Sequence, residues 1–474
     1  MIVKEGPASH SPFKLESLLR RLQSIDQNID DLGARFIHLI DSKNDPDEEQ
    51  DRILDSILEY GPDWPFGTDE GYKVFTLPRF GTTSPWSSKA TDIAKVCGLT
   101  SIEKIERGER RKILKIVIKS SKEDLAVKHK VLSTEKLKSS KIIEILLESG
   151  CWPFIKQRPF DIIANPEVLP KSIFVSCFDS APLGIDFEFI LKHQITSFKN
   201  GLNVLEKILP NKLKIGLSKH QKYLQAELDK YDTNTFSGPH PSGNVGVHIH
   251  HLDPISQGES VWVLRPEDVC IIGNLFESGE YIPTRTIAVS GPPVKNPSYF
   301  KTIIGAKLSS VLKNIEFNSD HEFRIINGDV LSGIKVEKDG YLGFYNNNIS
   351  ILKEGNNYKL FGWIPFINNN VPSIYRSSFN WLTSSKPKDY DTNLNGEERA
   401  FVVTGEMEKF FPMDIYPMQL IKECMTGNIE KMERLGIYEV APEDFGLIDY
   451  ASSSKIEAQS IVREGLDYLI KETL

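Results

Sequence analysis

Cysteine is scarce in this chain, with five residues in 474, at positions 97, 151, 177, 270 and 424. They lie far apart, their number is odd and no two form a C-x-x-C pair, which excludes a disulfide framework and a cysteine metal cluster. Each is expected to behave as a small buried hydrophobe. Long hydrophobic runs are also missing: none approaches the ~18 residues that a membrane crossing requires. The opening MIVKEGPASH has no basic region followed by an apolar one, so no secretory signal is read there. A cytoplasmic protein, or one peripheral on the cytoplasmic face of a membrane, is expected. Positive charge is in deficit, with 57 Lys plus Arg against 65 Asp plus Glu. Nucleic acid is therefore a poor candidate partner, since phosphate binding needs a clustered basic face. No G-x-G-x-x-G follows a strand, which removes the usual dinucleotide fingerprint.

What is present is an ordinary soluble composition, 40% apolar and 26% charged, in a chain long enough for three or four domains. The charge is unevenly spread. From Met1 to Gly108 there are 13 basic and 19 acidic residues, whereas Glu109 to Gly150 has 11 basic and 6 acidic. The sign reverses at Ile105 to Arg111 (IERGERR), which marks a seam between two stretches of different local grammar. The basic stretch is read as a solvated face, with a phosphate or anionic-lipid surface as the lesser alternative.

Before the seam, Phe13 to Leu22 and Glu48 to Tyr60 have helical apolar spacing, and Ala34 to Ile40 (ARFIHLI) reads as a strand. Ser84 and Pro85 suit a helix start, with Trp86, Ala90, Ile93, Ala94 and Cys97 on one face and Gly98 at its end. The words GPASHS (Gly6 to Ser11), YGP (Tyr60 to Pro62) and LPRFGTTSPWSSKATDIAKVCGL (Leu77 to Leu99) resemble the opening domain of phosphoribosylformylglycinamidine synthase, an enzyme of purine synthesis. That domain is similar to a small helper subunit, so the resemblance implies an interaction surface without chemistry.

After the seam, Ile113, Ile116 and Ile118 alternate with lysines as in a strand. Ser139 to Ser149 reads as an amphipathic helix, Ser172 to Phe178 and Leu213 to Leu217 as strands, and Phe187 to Ile208 as the helical stretch between them, a pattern of α/β type. Glu398 to Phe411, Pro417 to Met425 and Ile456 to Leu469 carry helical stripes. The aromatic words at Phe361 to Trp363 and Phe379 to Trp381 are more often core than a quinone slot.

The chemically richest word is FSGPHPSGNVGVHIHHLDP, Phe236 to Pro254. Gly238, Gly243 and Gly246 permit tight turns and close approach, Pro239 and Pro241 stiffen the entry, and His240, His248, His250, His251 and Asp253 supply polar groups. Read as a strand, Val247 to Leu252 places His248 and His250 on one face, the spacing of a two-histidine metal site completed by His240 or Asp253. The same residues suit a ligand or subunit contact, acid–base work by His250 and Asp253, or a hydrogen-bonded loop that orders a domain junction. Gly238, Pro239, His240, Gly243, Gly246, His248, His250 and Asp253 are the candidates for ligand or subunit contact. No catalytic, cofactor-binding or metal-ligating residue is assigned.

Several words in order, ESGCWPFIKQRPF (Glu148 to Phe160), SIFVSCFDSAPL (Ser172 to Leu183), the Phe236 to Pro254 run, VSGPPVKNP (Val289 to Pro297), NGDVLSG (Asn327 to Gly333) and LFGW (Leu360 to Trp363), resemble the A subunit of the sodium-pumping NADH:quinone reductases. The similarity runs from about Glu109 to the C-terminus. Together the two resemblances imply a multidomain α/β and α+β fold: an N-terminal α+β helper-like domain at 1–108, the remnant of a β-barrel-sandwich at 109–135, a Rossmann-like α/β domain at 136–260, a β-grasp (SLBB) module at 261–315 and a C-terminal region with a helical end at 316–474. The DYASSSK stretch (Asp449 to Lys455) lacks the cysteines an iron–sulfur cluster needs.

By the same resemblance the chain is expected to be a cofactor-free peripheral subunit on the cytoplasmic face of the bacterial inner membrane, not catalytic when isolated. Other subunits of the respiratory complex are its expected partners. FAD, FMN, riboflavin and iron–sulfur centres belong to them, NADH oxidation and ubiquinone reduction drive Na+ export, and no nucleic acid is involved. The alternatives are a non-catalytic fragment of the purine enzyme, or a nonfunctional fusion.

Overall fold

The computed structural model describes residues 2–9, 34–42, 46–58, 102–107, 137–318, 322–355, 391–402 and 405–473, with isolated positions beside them. The chain divides into two compact units, Met1–Asp124 and Leu125–Leu474.

The first unit carries an antiparallel three-stranded sheet in the order β1-β2-β3, from β1 (Ile2–Ala8), β2 (Arg35–Ser42) and β3 (Ile102–Arg107). Helix α1 (Glu48–Leu58) packs its Leu54 and Leu58 with Ile40, Ala90, Ala94 and Ile102, the apolar spacing that the sequence showed. Ile93 is half exposed and Cys97 is exposed, so neither joins the apolar face assigned to them. The rest of that helix, the Phe13 to Leu22 helix apart from isolated positions, and the strand expected after Glu109 lie outside the described residues.

The second unit contains a six-stranded sheet, β5-β4-β9-β6-β7-β8. Its strands are β4 (Lys156–Arg158), β5 (Ile162–Ile163), β6 (Ser172–Ser176), β7 (Leu213–Ser218), β8 (Thr233–Phe236) and β9 (Val261–Leu264). Strands β9, β6, β7 and β8 are mutually parallel, while β4 and β5 extend the sheet antiparallel. Both faces are covered, which is why the centre of SIFVS and all of VWVL are apolar. Ile173, Val175, Trp262 and Leu264 face one core, with helices α2 (Ser139–Glu148), α4 (Ile195–Ile208) and α7 (Pro266–Ser278). Phe174 and Val261, the alternate residues, face the other.

Helices α4 and α7 pack closely because both carry glycine at the contact: a Cβ at Gly273 would overlap the Ser197 carbonyl, and one at Gly201 the Val269 carbonyl. The expected helical stretch Phe187 to Ile208 is broken at His193–Gln194 into α3 (Phe187–Lys192) and α4. A short α5 (Lys222–Glu227) links β7 to β8.

The second core is built from α6 (Val245–Leu252) and the C-terminal helices α9 (Pro417–Thr426), α10 (Ile429–Arg434), α11 (Gly446–Ala451) and α12 (Ala458–Thr473). Met418, Ile421, Val462 and Leu466 join Phe174 and Val261 there, so the C-terminal bundle forms the third layer of the sheet. The expected helix at Glu398 to Phe411 is reduced to a 3-10 turn at Met407–Phe410, preceded by Gly405 in the left-handed region (φ 67°). Words at Phe361 to Trp363 and Phe379 to Trp381 fall outside the described residues.

A separate five-stranded sheet, β11-β10-β14-β12-β13, is formed by β10 (Thr284–Ser290), β11 (Ser298–Ile303), β12 (Phe323–Asn327), β13 (Ile334–Val336) and β14 (Asn348–Lys353). Ile287, Val289, Ile325, Ile349 and Ile351 pack on α8 (Leu308–Leu312). The expected division at residue 260 cuts the first sheet: β9 pairs with β6 inside it and α7 packs on α4, so both belong with the α/β layer. The strand expected to run from Val247 is the helix α6.

Candidate functional site

The histidine word leaves β8 at Phe236 and turns through Gly238, whose φ of 142° suits glycine. Ser180, on the loop after β6, ties this turn down: its hydroxyl accepts the Gly243 N–H at 2.8 Å and lies 3.1 Å from His240 Nδ1. Helix α6 begins two residues after Gly243. Two helical positions differ by roughly 200° around the axis, so His248 and His250 point apart and the paired spacing of a two-histidine metal site is not formed.

Each histidine has a partner within the chain. His248 is buried, stacked on Phe236 with centroids 3.9 Å apart, and its Nε2 lies 2.9 Å from the Ser242 carbonyl. Burial pushes its pKa down to about 4. Gly216 beneath it is required for close approach, because a Cβ there would overlap the ring. His250 accepts the Asp414 N–H at Nε2 (2.9 Å), which leaves the proton on Nδ1 to be donated to Glu439 at 2.7 Å. His251 Nε2 donates to the Pro412 carbonyl at 3.1 Å. Asp253 pairs with Lys171 at 3.0 Å, not with His250. Gly246 packs on the Asp444 carboxylate, 2.6 Å from where its Cβ would stand. The word therefore fastens the C-terminal bundle to the sheet. Among the described residues no group of three His, Cys, Asp or Glu side chains is placed to hold a metal ion.

His240 and Gly243 also form one wall of a crevice of about 170 Å³. Its position follows from topology. From β6 the chain runs outward through β7 to β8, then returns to place β9 on the other side of β6. The loops leaving β6 and β9 therefore diverge at their carboxyl ends, which is where open α/β sheets form a binding crevice. Phe178 and Asp179 come from the first loop, Leu264 and Arg265 from the end of β9 and the residue after it, and Asp329 and Asn346 from the segments after β12 and before β14.

The charges in the crevice are mostly self-paired. Lys156 contacts Asp161 at 2.7 Å, and buried Arg158 reaches Glu443 at 2.6 Å and Asp444 at 3.1 Å. Burial opposes the Arg158 charge, but Asp444, Glu443 and Asp161 outweigh it and raise its pKa. Glu267 and Asp268 occupy the first turn of α7, where acidic groups suit the helix dipole. Asp268 is bound to Arg285, and Glu267 accepts the Thr286 N–H at 2.9 Å and the Asn347 amide. Burial raises both carboxyl pKa values, and Arg285 works against that rise. On the loop after β6, burial pushes the Asp179 carboxyl up to about 6.

The sequence marked His240 and Gly243 on this wall but none of Arg158, Asp179, Arg265, Asp268 or Asn346. Lys156 and Arg158 stand inside the word ESGCWPFIKQRPF, and Asn346 to Asn348 form a visible triple asparagine. Four of the five cysteines are buried, and burial pushes the Cys151 thiol up to about 12.

Comparison with known proteins matches different families along the chain. Residues 137–281 match the family model of the NqrA second alpha/beta domain, and residues 286–338 that of the NQRA C-terminal domain. Residues 35–136 match the formylglycinamide ribonucleotide amidotransferase N-terminal family, and the match runs past the charge reversal at residue 108. The A subunit of the Na(+)-translocating NADH-quinone reductase of Haemophilus influenzae (strain 86-028NP) is 36% identical over 405 residues, covering 84% of this chain and 85% of that protein. The same subunit of Actinobacillus pleuropneumoniae serotype 5b (strain L20) is 34% identical over 405 residues, with the same coverage of both chains. That of Histophilus somni (strain 2336) is 34% identical over 402 residues, again covering 84% of this chain and 85% of the relative. This chain belongs to the family of the A subunit of the Na(+)-translocating NADH-quinone reductase.

Proposed function

We propose that this chain serves as the A subunit of a sodium-translocating NADH:quinone oxidoreductase, a complex that couples NADH oxidation and quinone reduction to Na+ export. The observation that carries this reading is the 36% identity sustained over 84% of the chain and 85% of the relative. Among the described residues no helix is long and apolar enough to cross a membrane. A peripheral position on the cytoplasmic face, held by the other subunits, accords with that. Flavins and the iron–sulfur centre are assigned to those partners and ubiquinone to the assembled complex as substrate. The chain alone is then not catalytic.

The work divides among four segments. Residues up to about 136 are an appended helper-like docking domain, because the purine-synthase family match at 35–136 takes in the stretch expected to be a sandwich remnant. Residues 137–281 are the Rossmann-like layer that carries the crevice. The β-grasp module starts at Thr284, and the C-terminal helices brace the layer. Gly238, Pro239 and His240 form the outer turn available to a ligand or subunit, while Gly243, Gly246, His248, His250 and Asp253 hold that turn in place. Co-purification tests the reading: an affinity tag on this chain should recover the other reductase subunits from solubilised membranes of the native host. Recovery of purine-synthesis enzymes in their place would overturn it.

A further inference from the structure

One face of the second unit gathers positive charge around exposed aromatic rings. Tyr299, Lys301 and Ile303 alternate along β11 and share one side of that edge strand, while Phe300 turns to the core of the five-stranded sheet. Helix α3 lies beside them: Phe189 stacks on Tyr299 with centroids 4.8 Å apart, and the Tyr299 hydroxyl accepts the Asp186 N–H at 3.1 Å. Helix α5 adjoins α3 through Lys192, whose Nζ stands 5.4 Å from the centre of the Tyr223 ring. Lys222 precedes that tyrosine, and Lys219 follows the end of β7.

Phe189 is 44% exposed, Tyr299 37% and Ile303 55%. Exposed apolar side chains scattered singly are ordinary, but here three stand together beside four exposed lysines, Lys192, Lys219, Lys222 and Lys301. The acids of the face are engaged. Asp186 caps α3 by accepting the Phe189 N–H at 3.1 Å, and Glu188 accepts the Leu224 N–H at 3.4 Å and meets Lys192 at 3.6 Å. Among the described residues Lys219, Lys222 and Lys301 have no carboxylate partner, and Lys222 donates to the Gln225 side chain at 3.3 Å. Such a face departs from the chain as a whole, whose net charge is −8.

The charge selects an anionic partner, and the rings select its kind. Exposed aromatic and aliphatic side chains beside lysines suit the boundary between lipid headgroups and acyl chains, where the apolar groups enter and the ammonium groups meet phosphate. We propose that this face, formed by α3, the start of α5 and the outer side of β11, rests directly on an anionic lipid surface. The contact goes beyond membership of the complex, because it needs no other subunit.

The purified full-length chain is sedimented with vesicles of phosphatidylcholine and phosphatidylglycerol, and with vesicles of phosphatidylcholine alone. Binding is expected to the anionic vesicles only, and to weaken as salt rises from about 50 mM to about 300 mM. Lys219→Glu with Lys222→Glu should lower the partition coefficient at least roughly tenfold. Lys335→Glu with Lys338→Glu, the same change of charge on and just after β13 at the opposite edge of the sheet, should leave it unchanged. Phe189→Ser should also weaken binding to the vesicles while leaving any retention on poly-glutamate beads as it was. Circular dichroism spectra check that each variant is folded. No sedimentation with anionic vesicles, equal sedimentation with phosphatidylcholine alone, or equal loss in the two lysine pairs would overturn the proposal. Retention on poly-glutamate without vesicle binding would overturn it too, and would assign the face to an acidic protein.

Discussion

Arg158 and Asp444, 286 residues apart in sequence, form a buried ion pair at 3.1 Å that joins strand β4 to the C-terminal bundle. The Asp444 carboxylate also accepts the Ala441 N–H at 2.9 Å and lies against Gly246 of α6. One carboxylate thus connects the sheet, the histidine helix and the C-terminal turn.

Arg158→Leu is expected to destabilise the protein by about 3–5 kcal/mol, because it leaves Asp444 charged and buried without a counter-ion. Urea unfolding of the single variant and of Arg158→Leu with Asp444→Asn checks this. The double variant should recover part of the loss; no recovery would mean that packing, not charge, carries the effect.

His248 has a folded pKa of about 4 against the ordinary 6.5. The unfolded chain therefore binds a proton that the folded one refuses between those values. Stability is fully present above about pH 6.5 and falls as the pH drops towards 4, by at most ~3 kcal/mol from this group. His248→Gln should be less stable at neutral pH yet show a flatter decline over that window, measured by urea midpoints at half-unit steps. A parallel decline in both proteins would remove His248 as the cause.

Asp179 shows the opposite sign. Its carboxyl is raised to about 6 in the folded state from 3.8, so stability is lost as the pH rises between those values and stays lower above them. Asp179→Asn, which keeps an acceptor for the Ala181 N–H, should be more stable than the parent at pH 7.5 by about 1–2 kcal/mol and equal to it near pH 4. A less stable variant at pH 7.5 would contradict the burial argument. Stabilisation on removing a crevice acid is the expected mark of a residue kept for function.

Gly273→Ala places a methyl group on the Ser197 carbonyl at the crossing of α4 and α7. Overpacking of this kind costs about 1–3 kcal/mol. Thermal unfolding should show a lower midpoint for Gly273→Ala, whereas Gly258→Ala, at an open left-handed turn (φ 81°), tests backbone strain without any clash.

The strands β6 and β7 and the helices α1, α2, α9 and α12 were legible because each buries one face or lies within a plain apolar run. Helix α6 was not. Its alternating valine, histidine and isoleucine look strand-like, but Val245, Gly246, Val247, His248 and Ile249 are all buried, and a helix buried all round has no apolar stripe to read. The place of β9 was hidden for a different reason: it pairs with β6, some ninety residues earlier, and nothing local in VWVL specifies that neighbour. The crevice was hidden by the same non-locality, since Arg158, Asp268 and Asn346 come from three separate elements. A family word covered one of those regions, Glu148 to Phe160, without showing which side chains its Arg158 meets.

Membership of a sodium-translocating NADH:quinone reductase is tested most directly by deletion with complementation. Membranes from a host lacking this chain should lose Na+-stimulated NADH:quinone reductase activity and regain it when the full chain is supplied. Unchanged Na+-stimulated activity in the deletion strain would contradict the account.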